Sequence, residues 1–163
     1  MNKDKCCLLI GNSRWHWAIQ TKGVWDFFHT QPQTKKTTIH QENDWQWAAV
    51  GQIPSNLDLN PKQEITVKDI SLSKLPPWLG IDRALGGWGA FQQAKRKGIH
   101  SKGLLIADAG TIFSLTKITA NGEFAGGQLV AGLQLQRSMM ASNAYKLEQP
   151  NKNYLPTTIF PLS

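Results

Sequence analysis

The sequence predicts an α/β protein with two similar lobes, each organised around a three-strand meander. Three observations lead there. A strand, glycine turn, strand, glycine hairpin, strand pattern occurs twice; its first glycines, Gly11 and Gly110, lie 99 residues apart, and so do its hairpin glycines, Gly23 and Gly122. Helix-like spacing follows Asp82, between the copies, and appears again after the second copy. A chain of 163 residues, 40% hydrophobic and 18% charged, is long enough to bury a core as one large domain or two small lobes.

In the first copy, Cys6 to Ile10 reads as a buried strand and Gly11-Asn12-Ser13 as a tight turn. The alternating run Arg14 to Ile19 is a second strand, and Lys22-Gly23 turns the chain into the apolar Val24 to Phe28. A polar, glutamine-rich stretch from Thr30 to Asp44 precedes a strand over Trp45 to Ile53. Ile65 to Val67 reads as a short edge strand and Leu75-Pro76-Pro77 as a loop. Asp82 stands at or near the N-cap of a helix over Arg83 to Lys97, which Gly98 ends. The second copy runs through Gly103 to Ala107, the turn Asp108-Ala109-Gly110-Thr111, Ile112 to Ile118, and Asn121-Gly122 before Glu123-Phe124. Leu129 to Leu147 has helical spacing and stops at Pro150, and Asn151 to Ser163 lacks any amphipathic pattern. Lobes of 1–81 and 82–163 follow, the second containing the helix and an incomplete copy of the lobe.

Composition excludes several classes. No apolar run approaches about 18 residues, so a membrane-spanning helix is not expected. The polar start, Met1 to Lys5, lacks a signal peptide's apolar region and cleavage site. Adjacent Cys6 and Cys7 offer neither a disulfide framework nor metal spacing, and the chain reads as a soluble cytoplasmic protein. The net charge is +7, with 9 Lys/Arg against 7 Asp/Glu in residues 1–81 and 9 against 4 in 82–163. The cluster Lys95-Arg96-Lys97 suits a helix C-terminus complementing its dipole; a nucleic-acid patch is disfavoured because no aromatic residues interleave it. His29, His40 and His100 lie apart in polar contexts and read as solvated, and Met139-Met140 as core packing. The seven tryptophans fit a core or an exposed surface equally well.

Both copies place a glycine beside a hydroxyl in the turn after the first strand, where backbone N–H groups and the hydroxyl can cradle phosphate. The alternative is a pair of ordinary hairpin turns. Asp82, between Gly80 and Arg83, is a candidate general base, a plain N-cap, or both. Arg83 can hold a carboxylate. Asp108 can hold a cation with Gly110 and Thr111 on phosphate, or cap its own turn.

The ordered set Leu9-Ile10-Gly11-Asn12-Ser13-Arg14, Gly80-Ile81-Asp82-Arg83, Asp108-Ala109-Gly110-Thr111 and Gly126-Gly127-Gln128-Leu129-Val130-Ala131-Gly132 resembles the type III pantothenate kinases, in a cyanobacterial-like form, from about Cys7 to about Leu147. The resemblance implies two RNase H-like lobes of the actin-like ATPase kind. It implies ATP-dependent phosphorylation of pantothenate to 4′-phosphopantothenate, the first step of coenzyme A biosynthesis. Asp82 would be the catalytic base, with pantothenate bound by Gly80, Ile81, Asp82, Arg83 and Asn143. ATP would meet Gly11, Asn12, Ser13, Arg14, Gly110 and Thr111, and Asp108 would be the metal ligand. Mg²⁺, a monovalent cation (K⁺ or NH₄⁺) and a homodimer with pantothenate near the subunit interface complete the expectation, with no role for a membrane or nucleic acid.

The departures are specific. Leu9 stands where the family has a metal-linked Asp, His16 where a Lys often follows the turn, and Ala131 where the family has Pro. No counterpart of a pantothenate-contacting Tyr lies among Ser73 to Trp78, and Asn143-Ala144 is the nearest match to a Thr-Ala pair. The family continues past the late helix, so the chain reads as C-terminally truncated: a fragment, a disrupted product, or a protein needing a partner. An active kinase and a degenerate homologue that binds ligand or partner without turnover are therefore both expectations, with a nucleic-acid-associated regulator a weaker third.

Overall fold

The computed structural model describes residues 5–32, 44–55 and 57–144. The first meander consists of β1 (Lys5–Ile10), β2 (Trp15–Thr21) and β3 (Val24–Thr30), joined by β4 (Asp44–Ala49). The sheet order is β3-β2-β1-β4, antiparallel except for the parallel pair β1 and β4. Lys22 and Gly23 both have positive φ, 52° and 85°, as a two-residue type I′ hairpin requires. The second meander, β5 (Leu104–Ala109), β6 (Ile112–Ile118) and β7 (Phe124–Ala131), forms a separate antiparallel sheet in the order β5-β6-β7. Helices α1 (Ile81–Arg96) and α2 (Leu133–Asn143) precede and follow it. The mixed α/β class and the duplicated meander agree with the sequence, since β1 and β5 are six-residue strands 99 residues apart.

Alternation on β1, β2 and β4 sends Leu8, Ile10, Trp15, Trp17, Trp45 and Trp47 to one face, where they form a tryptophan-rich core. Cys6 is buried there too; loss of water, with Cys7 adding to it, pushes its thiol above the ordinary range. The opposite face contributes Leu9 and Ala48 to a second cluster with Ile81, Ala84 and Phe91 of α1 and with Leu104, Ile106 and Ile118 of the second sheet. Helix α1 thus joins the two sheets through one apolar stripe at positions 81, 84, 87, 91 and 94. Gly98, with φ of 69°, ends this helix just after Lys95 and Arg96 in its last turn. Trp25, Trp78 and Trp88 are exposed, so the tryptophans divide between core and surface.

The structure corrects five expectations. The strand expected over Trp45 to Ile53 ends at Ala49, because Val50 and Gly51 bend to donate to Ile10 O. Ile65 to Val67 is not an edge strand: Glu64 makes a single bridge to Trp47, and Val67–Asp69 is a 3₁₀ turn begun by the Thr66/Asp69 capping pair. The helix expected over Arg83 to Lys97 spans Ile81–Arg96, with Gly80 as its N-cap and Asp82 near that cap, inside the first turn. The late helix starts at Leu133 and not Leu129, because Leu129 to Ala131 complete β7 against β6; Leu147 and Pro150 lie outside the described residues. Met139 and Met140 are exposed on α2. Most of Thr30 to Asp44, His40 and the tail from Asn151 also lie outside the described residues.

Candidate functional site

The two glycine turns meet. Ser13 Oγ and Thr111 Oγ1 are 2.8 Å apart and share a hydrogen bond across 98 residues of sequence. In the first turn Gly11 N donates to Arg14 O at 3.1 Å; in the second Gly110 N donates to Ile112 O at 3.2 Å. Gly11, Asn12, Ser13, Gly110 and Thr111 therefore belong to one polar surface, and Asn12, Ser13, Gly110 and Thr111 are exposed on it. A second glycine backs each turn. A Cβ on Gly51 would stand 2.6 Å from Gly11 O, and one on Gly132 would meet Gly110 O and lie 2.6 Å from Thr111 O. Gly132 N also donates to Thr111 O at 2.8 Å, fixing the start of α2 to the second turn.

The first turn of α1 lies against the same sheet face as Asp108. Arg83 Nε donates to Thr116 Oγ1 at 3.1 Å and its Nη2 to Leu115 O at 3.0 Å. Register pairs Asp108 with Ser114, and Thr116 is the next residue of β6 on that face, so Asp108, Ser114 and Thr116 project to one side. Asp82 is half-buried, and its Oδ1 accepts from Arg83 N at 2.7 Å. Helix N–H groups without intrahelical partners favour a carboxylate here. Gly80 leaves room for it, since a Cβ there would lie 2.5 Å from Asp82 Oδ1.

A cleft of about 730 Å³ borders Gly80 and Ile81, floored by Ile65, Ile70, Leu72 and Leu79, with Lys68 among its few charged linings. That is the size and the apolar-with-few-polar character of a small-molecule site. A second hollow of about 300 Å³ lies between Gly110, Phe113 and Val130 and the start of α2. At the rim of the larger cleft, Thr66 N and Oγ1 donate to Asp69 Oδ2 at 2.8 and 2.7 Å, the backbone donor foremost, and together they hold the Asp69 carboxyl below the usual carboxylate range.

Other expected residues stand apart. Asn143 is in the last turn of α2, where its Nδ2 donates to Met139 O within the helix at 2.8 Å. Arg14 is exposed at the end of the first turn. Leu9 is half-buried against the cluster that α1 completes, so the first copy presents an aliphatic side chain where the second presents exposed Asp108. Among the described residues no three or more His, Cys, Asp or Glu side chains gather, leaving Asp108 a single carboxylate. Sequence reasoning missed Gly51, whose signal is a glycine directly after an apolar strand, and Thr116 and Ser114, polar residues on the inner side of an alternating run. It also missed Lys68, for which the sequence holds no signal.

The sequence model of the type III pantothenate kinases matches residues 61–160. Curated relatives of that name include one from Thermosynechococcus vestitus, 33% identical over 82% of this chain and 52% of its own length. Others are from Synechococcus elongatus, 31% identical over 88% of this chain and 63% of its own length, and from a Synechocystis strain, 29% identical over 91% and 59%. The chain spans about half to somewhat under two thirds of these relatives. Among solved structures, a protein from Campylobacter jejuni described as a conserved Baf family transcriptional activator matches with a TM-score of 0.51 and 15% identity, over 94% of this chain and 68% of its own. That likeness is one of fold.

Proposed function

The chain belongs to the type III pantothenate kinase family, and from that premise we propose that it takes part in ATP-dependent phosphorylation of pantothenate, the first step towards coenzyme A. The observation that carries the proposal is the Ser13–Thr111 hydrogen bond, which joins two glycine turns from the two repeats into one polar surface. The turns supply donors for a polyphosphate, the Ser13 and Thr111 hydroxyls foremost, while the Gly11 and Gly110 N–H groups hold the turns themselves in shape and let the phosphate approach the backbone closely. Pantothenate, an alcohol with an apolar body and a carboxylate, suits the cleft beside Gly80 and Ile81.

In this mechanism Asp82 accepts the proton of the attacking hydroxyl, and the Arg83 N–H in the first turn of α1 orients its carboxylate. Arg83 acts by anchoring that turn to β6; with Nε and Nη2 both donating to the sheet, it is a positioning residue before it is a substrate ligand. Asn143 as a pantothenate contact would require release of its amide from Met139 O. Asp108 presents a carboxylate suited to a hard cation, whereas Leu9 presents none. Mg²⁺, when bound, neutralises charge on the transferring phosphoryl group. A monovalent cation such as K⁺ or NH₄⁺, a homodimer, division into two RNase H-like lobes at residue 81, and a cytoplasmic setting belong to the same proposal. Among the described residues no helix is long and apolar enough to cross a membrane.

A second reading, ligand binding without turnover, is favoured specifically by Leu9, whose packing leaves the first copy without a metal-holding oxygen. Pantothenate-dependent release of ADP by the full chain separates the two. Turnover that falls about 10²–10⁴-fold in Asp82→Asn, with ATP binding kept, is the expected result. Equal rates in parent and variant would remove Asp82 from the base role. Binding of pantothenate and ATP with no ADP release would establish the second reading.

A further inference from the structure

His16 and His29 are directly opposed on β2 and β3, with ring centroids 6.3 Å apart and both side chains exposed. Their place in the ladder follows from the hairpin. In a two-residue turn the flanking pair, here Thr21 and Val24, exchanges hydrogen bonds, and pairs then alternate along the strands. His16–His29 is the sixth pair from the turn, and alternation makes it non-hydrogen-bonded, the class whose Cα atoms approach to about 4.5 Å and whose side chains stand closest. Two imidazoles bound to one tetrahedral ion at about 2.0–2.1 Å have centroids about 5 Å apart. Small χ rotations of two exposed rings close the gap of about 1 Å, and solvent supplies the remaining ligands.

We propose that His16 and His29 form a two-imidazole site for a divalent transition-metal ion of the Zn²⁺, Ni²⁺ and Co²⁺ class. Imidazole nitrogen suits these borderline ions, whereas Mg²⁺ prefers oxygen and keeps its water. The ion stands beside the first glycine turn: His16 follows Gly11–Arg14, and the same row of the sheet runs Leu9, His16, His29. The row holds no carboxylate, so imidazole is its sole metal-binding chemistry. The site is independent of the kinase proposal and stands or falls on metal binding alone.

The test is calorimetric titration of the full chain, free of any purification tag, with Zn²⁺, Ni²⁺ and Mg²⁺, alongside imidazole-ring NMR with diamagnetic Zn²⁺. One equivalent of Zn²⁺ or Ni²⁺ should bind, Mg²⁺ should not compete, and the rings of His16 and His29 should be the ones that shift. His16→Ala and His29→Ala should each weaken binding by more than about tenfold, since a group that merely orients a metal ligand is already worth about 10–100-fold. Both positions are exposed, so the variants should melt with the parent in the absence of metal. Undiminished affinity in the double variant, or shifts confined to His40, His100 or the cysteines, would overturn the proposal, as would no binding by the parent.

Discussion

In the first meander Leu8, Ile10 and Trp15 are almost wholly buried and a fourth strand extends the sheet; in the second, Leu105 is 67% exposed and, among the described residues, no fourth strand joins the three. The two copies share the lengths of their first two strands, a polar turn after the first strand and a glycine with positive φ at the hairpin. They differ in what covers them and in one position, Leu9 against Asp108. Covering and chemistry trade places: the copy with the denser core lacks the carboxylate, and the copy that carries Asp108 leaves much of its apolar surface open. Burying Leu9 beside α1 stabilises the joint between the sheets at the position where the second copy carries a carboxylate.

The largest expected effect tests that asymmetry of packing. Trp15→Ala should cost about 3–5 kcal/mol of unfolding free energy, the range for truncating a buried aromatic. Leu105→Ala, on the open face of β5, should stay within about 0.5 kcal/mol. Denaturant unfolding of both variants measures the difference, and similar costs would mean that the second sheet is covered in solution by something that hides Leu105.

The next effect concerns the turns. Gly51→Ala and Gly132→Ala each force a Cβ against a turn carbonyl, at Gly11 and Gly110 respectively, and each should cost about 1–3 kcal/mol. Gly132→Ala should weaken ATP binding more, because Gly132 also donates to Thr111 O and begins α2. Thermal melts together with ATP titrations check this, and a larger loss of ATP affinity in Gly51→Ala would move the principal phosphate contacts to the first copy.

What the sequence made legible follows from the range of each interaction. The first meander's three strands, the hairpin at Gly23 and the end of α1 at Gly98 depend on alternation and on φ, both local, and they are where the pattern put them to within two residues. The misjudged elements depended on distant partners. Leu129 to Ala131 carry helical spacing yet pair with Ile112 to Ser114, and Trp45 to Ile53 reads as one run although Gly51 bends to meet Gly11. At the site, the residue types of Asp82, Asp108, Ser13 and Thr111 were readable from their motifs. That Ser13 touches Thr111, that Arg83 is bound to Leu115 and Thr116, and that His16 faces His29 are products of sheet register and helix docking.

The position at which the copies disagree yields a smaller effect. Leu9→Asp puts a carboxylate against an apolar cluster and should destabilise by about 1–3 kcal/mol. Asp108→Leu, at an exposed site, should remain within about 0.5 kcal/mol while losing the carboxylate proposed to hold a cation. Denaturant unfolding and the magnesium dependence of turnover, measured on both variants, test whether the positions are equivalent in chemistry as well as in sequence offset. A stable Leu9→Asp chain with an unchanged magnesium requirement would remove position 9 from the metal's surroundings.

The smallest effect lies outside both meanders, in the Thr66–Asp69 turn at the rim of the larger cleft. The Thr66 N–H, and after it the Thr66 hydroxyl, lower the Asp69 carboxyl below its ordinary value. A depressed carboxylate contributes stability that is present above its unfolded value, about 3.9, and is lost as pH falls through the lower folded value. The turn should therefore hold at neutral pH and loosen only below about pH 4. Because Asp69 is exposed, the change should be local: the Thr66 amide resonance should follow the titration while the β1–β2 and β5–β6 ladder amides stay fixed. Asp69→Asn should make the Thr66 amide insensitive to acid, and Thr66→Val, which keeps the backbone donor and removes the hydroxyl, should shift the transition part of the way back towards the ordinary carboxylate range. A Thr66 amide that titrates identically in the parent and in Asp69→Asn would show that the turn is held by its backbone alone. Ladder amides of one meander moving with it would show that this meander, and not its partner, carries the cleft.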